Sequence, residues 1–290
     1  MGFLDLLKPR PRGYCLEARP EGIAPFAFWG HPPETGARLT QSLERDGVFE
    51  PFETLLVQRL LPHFSLFLDL SAGVGWYTAI ARRTMQPGSE IHAFEPDRRN
   101  FGLLKLNAQA GGDRVTTHLT RMAVSAEPGS ARLFQTVSEF GEHSLYATES
   151  AHRSITVPAT TLDASFRNRS MPPLLARMGM KGGEPWVFRG GASVLGPQQR
   201  ENAYLMEFWP NGMAGAGDDF EAFASGFSSY AQQPFVIYRE TQGLRPATWD
   251  ELGGRTSTGV ASMRRYSLLI LAVTPGTSAY FAVSDLITGF

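Results

Sequence analysis

Short apolar runs alternate with helical patterns between residues 65 and 119, and this alternation is the strongest constraint on the fold. The runs at 65–70, 90–94 and 115–119 are typical of strands that are buried on both faces of a parallel sheet. Between them, apolar residues recur with helical spacing over 74–83 and 97–110. Strands and helices that alternate through short connections imply right-handed crossovers and an open parallel sheet. The predicted fold class is α/β.

The remaining segments predict one domain preceded by an extension. Residues 9–40 are rich in proline and glycine and predict an irregular lead-in, after which 50–63 has the pattern of an amphipathic helix. The second half carries a helical pattern at 218–227 and strand-like runs at 131–136, 155–161, 204–208, 235–238 and 266–273. Since no long polar linker separates two folding units, we expect an N-terminal extension over 1–46 and a single domain over 47–290.

Composition excludes several classes of protein. With 27 Lys and Arg against 28 Asp and Glu, the net charge of -1 argues against a dedicated nucleic-acid binder. A single cysteine, Cys15, cannot form an intrachain disulfide, so the chain needs no oxidising compartment. No apolar run is long enough to span a membrane. Residues 1–12 make a poor signal peptide, and their apolar stretch predicts a short helix that docks on the rest of the protein. A cytoplasmic location is the expectation, and the oligomeric state stays open.

The first motif with chemical meaning is the stretch Asp69–Gly75, which reads DLSAGVG and follows the first predicted strand. Gly73 and Gly75 would let the backbone approach a ligand that a Cβ atom would push away. The dinucleotide fingerprint fails here, because Thr78 occupies its third glycine position. The spacing fits better the loop that binds S-adenosyl-L-methionine (SAM), with Ser71 in place of the first glycine. A plain strand-to-helix turn is the alternative.

A carboxylate at the end of the second strand strengthens the interpretation as a nucleoside site. Glu95 lies 20 residues after Gly75, where a carboxylate can accept hydrogen bonds from both hydroxyls of a ribose. The alternative is a surface glutamate that caps the following helix beside Pro96 and Asp97. A glycine loop and a carboxylate on successive strand ends together favour SAM as the cofactor, with NAD as the second choice.

Ordered motifs over about residues 47–210 resemble the FkbM family of SAM-dependent methyltransferases. They are GVFE at 47–50, FLDLSAGVGWYT at 67–78, IHAFEPDRRNFGLLKLN at 91–107, AVS at 123–125, VPATTLD at 157–163, GEPWVFRG at 183–190 and LMEF at 205–208. The resemblance implies a Rossmann-like class I methyltransferase fold, with a mostly parallel seven-stranded sheet and helices on both faces. It also implies methyl transfer to a hydroxyl, commonly on a sugar or a polyketide-type natural product.

The resemblance extends to individual positions. Asp69, Gly73, Gly75 and Glu95 match the SAM-binding positions of the family. The family's supporting residues in the pocket correspond to Tyr77 and Asn100.

One stretch departs from the family, which usually has K-x-D-V-E-G-A-E after its fourth strand. Here residues 177–184 read RMGMKGGE, so Gly179 and Lys181 replace two acids and only Glu184 remains. Three interpretations follow from this change of +3 in formal charge. Glu184 or Glu207 serves as the catalytic base, or Lys181 binds an acidic substrate, or the protein is a degenerate methyltransferase that acts as a binding or assembly partner.

Two further groups of residues are candidates for the acceptor side. Trp186, like Trp29, Trp209 and Trp249, would suit stacking on a sugar ring, although packing is the commoner use of tryptophan. His143 is the alternative base, in a polar stretch where an ordinary surface histidine is the simpler interpretation. The six histidines lack the spacing of metal ligands, so no metal is expected.

Overall fold

A computed structural model shows a large central sheet with helices on both faces. It describes residues 13–109, 114–135, 143–147, 153–253 and 267–288. The docking helix predicted within residues 1–12 lies outside these residues. None of the helices in the described ranges is both long and apolar enough to cross a membrane.

Thirteen strands and eleven α-helices are present in the described part of the chain. The strands are β1 (Tyr14–Ala18), β2 (Phe26–Gly30), β3 (Leu66–Asp69), β4 (Glu90–Phe94), β5 (Thr116–Thr120), β6 (Ala123–Val124), β7 (Gly129–Gln135), β8 (Arg153–Thr160), β9 (Leu174–Met178), β10 (Ala203–Phe208), β11 (Gln233–Tyr238), β12 (Gly243–Pro246) and β13 (Leu268–Val273). The helices are α1 (Arg38–Asp46), α2 (Pro51–Leu60), α3 (Trp76–Thr84), α4 (Arg98–Gln109), α5 (Leu162–Ser165), α6 (Glu184–Arg189), α7 (Ala192–Leu195), α8 (Pro210–Gly215), α9 (Phe220–Gly226), α10 (Trp249–Leu252) and α11 (Ser278–Phe281).

The main sheet has the strand order β12-β11-β13-β10-β9-β3-β4-β5. Strands β5, β4, β3, β9 and β10 are parallel, and β11 runs in the same direction because both β10 and β11 pair antiparallel with β13. From β3 the chain moves outward through β4 to β5, and from β9 it moves outward in the other direction. The point where the order reverses therefore lies between β3 and β9, the place where open α/β sheets bind ligands.

The central strands alternate their side chains between two hydrophobic cores. Phe67 of β3 packs with α2 and α3 on one face, whereas its neighbours Leu66 and Leu68 pack on the other face with α6 and α9. All three side chains are fully buried. Burial on both faces explains why this strand reads as a continuous apolar run rather than an alternating one.

The predicted α/β class and the Rossmann-like, mostly parallel sheet are confirmed. Strand β4 has the predicted bounds, and α3, α4 and β5 begin within two residues of their predicted starts. The sheet has eight strands rather than seven, because β12 pairs antiparallel with β11 and extends that edge. A separate three-stranded sheet, in the order β6-β8-β7, follows β5 in the chain.

The prediction of an irregular lead-in over 9–40 is wrong for its described part. Strands β1 and β2 form an antiparallel hairpin, and Phe28 of β2 is fully buried with its ring 5.3 Å from that of Trp76. The backbone N–H of Trp29 also donates to Asn107 Oδ1 at 2.7 Å. Proline and glycine here mark turns between short strands rather than a structureless segment. The division of the chain after residue 46 stays a prediction.

The packing of Phe28 predicts that the hairpin contributes to the stability of the whole fold. Phe28→Ala should lower the free energy of unfolding by about 3–5 kcal/mol, since it removes a fully buried ring. Phe281→Ala is the matched control, because that ring is 63% exposed and should lose little. Urea denaturation followed by circular dichroism measures both changes. Equal midpoints for Phe28→Ala and the unmodified protein would contradict an integral role for the hairpin.

Candidate functional site

A cleft of about 730 Å³ opens at the carboxyl ends of β3 and β9, where the strand order reverses. Its volume falls within the roughly 300–1,000 Å³ that is typical of small-molecule sites. The loop after β3 and the segment after β9 both line it. The described lining includes Ser71, Gly73, Glu95, Lys181 and Glu207. Sequence reasoning assigned all five to cofactor, acceptor or base roles.

Two glycines shape the loop after β3 for different reasons. Both have positive φ, +56° at Gly73 and +94° at Gly75. A Cβ on Gly73 would meet nothing within 4 Å, so this residue lies against the open cleft. A Cβ on Gly75 would lie 2.6 Å from Leu104 Cδ1, so this glycine permits the close packing of α3 on α4. Only Gly73 is placed to approach a ligand.

The carboxylate of Glu95 binds the glycine loop directly. It accepts from the Gly73 N–H at 2.9 Å and from the Asp97 N–H at 2.8 Å. The Asn100 side chain also hydrogen-bonds this carboxyl group, so three of its roughly four acceptor positions are used within the protein. Burial raises the pKa of Glu95 to about 8, against the lowering effect of these N–H groups. The structure therefore joins the two motifs that the sequence placed on successive strands.

Asp69 lies beneath the loop rather than in the cleft. Its side chain is fully buried, and its Oδ2 accepts from the Thr78 hydroxyl at 2.8 Å. Burial raises the pKa of Asp69, although the charge of Arg177 acts in the opposite direction. Asp69 does not line the described cleft, so its contacts favour holding the loop over touching a cofactor.

Ser71 connects the loop after β3 to β9 and the segment that follows it. Its Oγ accepts from the Gly179 N–H and from Arg177 Nη1, both at 2.9 Å, and Arg177 also donates to the Ser71 carbonyl. Burial lowers the pKa of the Arg177 guanidinium, but Tyr77 and nearby carboxylates outweigh it and the net shift is upward. Arg177 lines the cleft, and sequence reasoning did not single it out.

A cluster of charged side chains from three elements surrounds Tyr77. The Tyr77 hydroxyl donates to Glu50 Oε2 at 2.6 Å, and Arg239 donates to both Glu50 and Glu53. The guanidinium carbon of Arg177 lies 4.7 Å from the centre of the Tyr77 ring. All of these residues line the cleft. Glu50 and Glu53 thus bring acidic groups to the cleft from outside the segment 179–184.

Glu50 and Glu53 carry further signs of a functional site. Glu50 adopts φ +45°, a left-handed conformation that costs a residue with a side chain on the order of 1–3 kcal/mol. Glu53 is 2% exposed, and its Oε2 has no hydrogen-bond partner among the described residues. Burial raises the pKa of Glu53, and the charge of Glu50 adds to this effect. The sequence offered one indication, the GVFE motif that contains Glu50.

Asn100 and two histidines line the cleft near Glu95. Asn100 is buried, and its Oδ1 lies 2.7 Å from His31 Nε2. His143 is half-buried, and its Nδ1 has no partner in the described structure. Burial lowers the pKa of His143, and the charge of Asp97 acts in the opposite direction. The structure places His143 in the cleft lining, and its role as the alternative base stays a prediction.

Glu184 and Lys181 have different environments despite their proximity in sequence. Glu184 is fully buried at the start of α6, where it accepts from the N–H groups of Met180 at 2.6 Å and Gly182 at 2.8 Å. Burial and the charge of Glu207 raise its pKa to about 8. Lys181 lines the cleft, whereas Glu184 is not in the described lining. The contacts of Glu184 favour holding the 180–182 turn, and a base role for it stays a prediction.

Glu207 is the predicted base that the structure brings to the cleft. It belongs to β10 near its carboxyl end, is half-buried, and accepts a hydrogen bond from the Ser267 hydroxyl. The predicted stacking residue Trp186 lies on α6 and is not part of the described lining. The same holds for Trp29, Trp209 and Trp249, the last of which stacks on Phe227 with ring centres 4.2 Å apart. Trp76 is the one tryptophan in that lining, with its indole N–H donating to Thr54.

Comparisons with known proteins place the chain near methyltransferases in structure only. No protein-family model matches the sequence, and no curated protein matches it. A solved rRNA methylase from Streptococcus thermophilus is 11% identical, covers 77% of this chain and 93% of its own, and has a TM-score of 0.42. A SAM-dependent O-methyltransferase from Thermotoga maritima is 11% identical, covers 86% of this chain and 73% of its own, and has a TM-score of 0.38.

A methyltransferase from Geobacter sulfurreducens is also similar, at 12% identity over 81% of this chain and 86% of its own, with a TM-score of 0.39. None of these comparisons points to the FkbM family in particular. TM-scores below 0.5 carry no argument about function, so the interpretation of the site depends on its own geometry.

The raised pKa of Glu184 predicts how stability depends on pH. Its carboxyl titrates near 4.5 in the unfolded chain and near 8 in the folded protein. Between these values the folded state holds a proton that the unfolded state lacks, so the free energy of unfolding falls as pH rises from about 5 to 8. Glu184→Gln should reduce this dependence, and urea denaturation at pH 5, 6.5 and 8 measures it. Glu127→Gln, at an exposed position, should leave it unchanged; a Glu184→Gln curve parallel to the unmodified one would contradict the shift.

Proposed function

We propose that the protein is a SAM-dependent methyltransferase that acts on a hydroxyl of a sugar or natural-product-type small molecule. The observation that carries this proposal is the contact between Glu95 and the Gly73 N–H at the point where the strand order reverses. The Glu95 carboxyl group thereby lies beside an open glycine loop in the cleft. That pairing suits the ribose and the methionine portion of one bound nucleoside.

The residues present fit SAM in three respects. The space beside Gly73 is open, so a ligand can approach the backbone there. Glu95 lines the cleft beside this loop, where its carboxyl group can accept a hydrogen bond from a ribose hydroxyl. The cleft of about 730 Å³ leaves room for an acceptor beyond the cofactor. When bound, SAM supplies an activated methyl group, so the protein's main tasks are positioning and excluding water.

The acceptor side of the cleft carries charges of both signs. Arg177, Lys181 and Arg239 face it together with Glu50, Glu53 and Glu207. Charged side chains of both signs can hydrogen-bond hydroxyl groups, which suits a polar acceptor such as a saccharide or polyketide. Lys181 is placed to bind an anionic group on that acceptor.

Glu207 is the base that we assign to the hydroxyl. It lines the cleft, and its hydrogen bond from Ser267 orients one oxygen and leaves the other able to accept a proton. A positioned base contributes typically 10²–10⁴-fold, so the reaction does not depend on it entirely. His143 is the competing base, because it lines the same cleft and its Nδ1 has no partner among the described residues.

A second candidate function is a methyltransferase-like protein that binds a nucleoside and a partner without turnover. The observation that favours it is the position of Glu184, the one acid of the 177–184 stretch that remains. Its two oxygens are bound to backbone N–H groups, and it lies outside the described cleft lining. This candidate predicts SAM binding without methyl transfer.

Calorimetric titration with SAM, and separately with NAD, tests the cofactor. SAM should bind with one site per chain, and NAD should bind far more weakly. Glu95→Ala should weaken SAM binding by about 1–3 kcal/mol, since it removes the hydrogen bonds between the Glu95 carboxyl group and the ribose. Glu127→Ala is the control at an exposed position, and thermal unfolding confirms that both variants are folded. A protein that gives no heat with SAM would contradict the cofactor, and unchanged affinity in Glu95→Ala would contradict the placement of the ribose.

Comparing turnover with cofactor affinity tests the base. Glu207→Gln keeps an acceptor for Ser267 but removes the basic carboxylate, so kcat should fall by about 10²–10⁴-fold while the Kd for SAM is unchanged. Formation of S-adenosylhomocysteine with a panel of sugars and polyketides measures kcat. If His143→Asn lowers kcat and Glu207→Gln does not, the base is His143. SAM binding with no methylated acceptor would favour the second candidate function.

A further inference from the structure

Three metal-ligating side chains meet on one face of the sheet, away from the cleft. Glu90 and His92 are two residues apart on β4 and therefore point to the same face. His118 of β5 is the register partner of His92 in the parallel pair. One potential ligand atom from each residue lies within 4.8 Å of the other two. The sequence alone gave no indication of this group, because 26 residues separate the two histidines.

The distances approach those of a transition-metal site. His92 Nε2 lies 3.3 Å from Glu90 Oε2. Metal bonds of about 2.0–2.2 Å place neighbouring ligand atoms of a tetrahedron roughly 3.3 Å apart. The distance between His92 Nε2 and Glu90 Oε2 already has this value. His118 is exposed, and its ring stacks on that of His92 with centres 4.4 Å apart. Binding of a metal ion would therefore require the exposed His118 side chain to turn its ring out of this stack.

The surroundings set the character of the site. Phe166 packs against His92 with ring centres 4.8 Å apart, which limits the movement of that ligand. Arg169 Nη1 donates to Glu90 Oε2 at 2.8 Å, so a metal ion has to displace this guanidinium. Two imidazoles and one carboxylate suit Zn²⁺, Co²⁺, Ni²⁺ or Cu²⁺ rather than Mg²⁺ or Ca²⁺.

We propose that Glu90, His92 and His118 form a binding site for a divalent transition metal that links the edge strand β5 to β4. Three protein ligands leave a fourth position for water. Glu90 is the first residue of β4, whereas Glu95 follows the last one. The site therefore begins at the end of β4 that is opposite to the cleft. It is independent of the proposed methyltransferase function.

Titration of the full-length protein with Zn²⁺ and with Co²⁺ tests the proposal. Calorimetry should give one Zn²⁺ per chain, and bound Co²⁺ should show the intense visible absorption of a tetrahedral ion. His118→Ala and His92→Ala should each weaken Zn²⁺ binding at least about tenfold and remove the Co²⁺ bands. His63→Ala is the matched control, because His63 is an exposed histidine outside the cluster.

A second pair of variants separates a defined site from general attraction of cations. Arg169→Gln should tighten Zn²⁺ binding, because it frees Glu90 from its ion pair. Arg167→Gln makes the same change of charge at an exposed position nearby and should have little effect. Wild-type affinity in both His92→Ala and His118→Ala, or no binding at one equivalent, would overturn the proposal. Equal effects of Arg167→Gln and Arg169→Gln on the Zn²⁺ affinity would also overturn the proposal.

Discussion

The structure depends on how the loop after β3 is held from both sides. On one side Glu95 accepts from the Gly73 N–H, and on the other Ser71 accepts from the Gly179 N–H and from Arg177. These bonds tie β3 to its two neighbours in the sheet, β4 and β9, at the point where the strand order reverses. A shift of the loop away from either neighbour would break hydrogen bonds between half-buried groups, which is costly where water cannot replace them. The cleft has its shape because the loop is fixed in this way.

The segment after β9 carries Gly179 and Lys181, so the acidic groups of the cleft come from other parts of the chain. A buried cation such as Arg177 needs compensation, because its charge is costly away from water. Here Asp69, Glu50 and Glu207 raise its pKa, and they come from three other parts of the chain. Acids near the cleft are therefore supplied by α2 and β10 rather than by the segment after β9. In the proposed enzyme, Glu207 is the one of these carboxylates that we assign as the base.

Local patterns predicted much of the first half of the fold and less of what surrounds it. Strand β4 was predicted with its observed bounds, because a buried strand next to a turn has a clear apolar signal. The sequence pattern did not predict the hairpin β1–β2. Its two strands have only five residues each, they are partly exposed, and the segment between them contains proline and glycine. The apolar pattern also did not single out β9, and only the family resemblance placed a strand before Arg177. The site shows the same division: the loop and Glu95 were predicted, whereas Glu53, Arg177 and Arg239 were not.

The sequence by itself determined the α/β class, the glycine loop and the carboxylate on the next strand, because these features depend on residues that are close along the chain. The tertiary structure alone decided which acids face the cleft. It placed Glu184 beneath a turn and Glu207 in the lining, although both were equal candidates as bases. It also brought His92 beside His118 across two parallel strands. The physical reason is that burial, charge and metal-binding geometry depend on neighbours in space, and a parallel sheet creates those neighbours from residues that are distant in sequence.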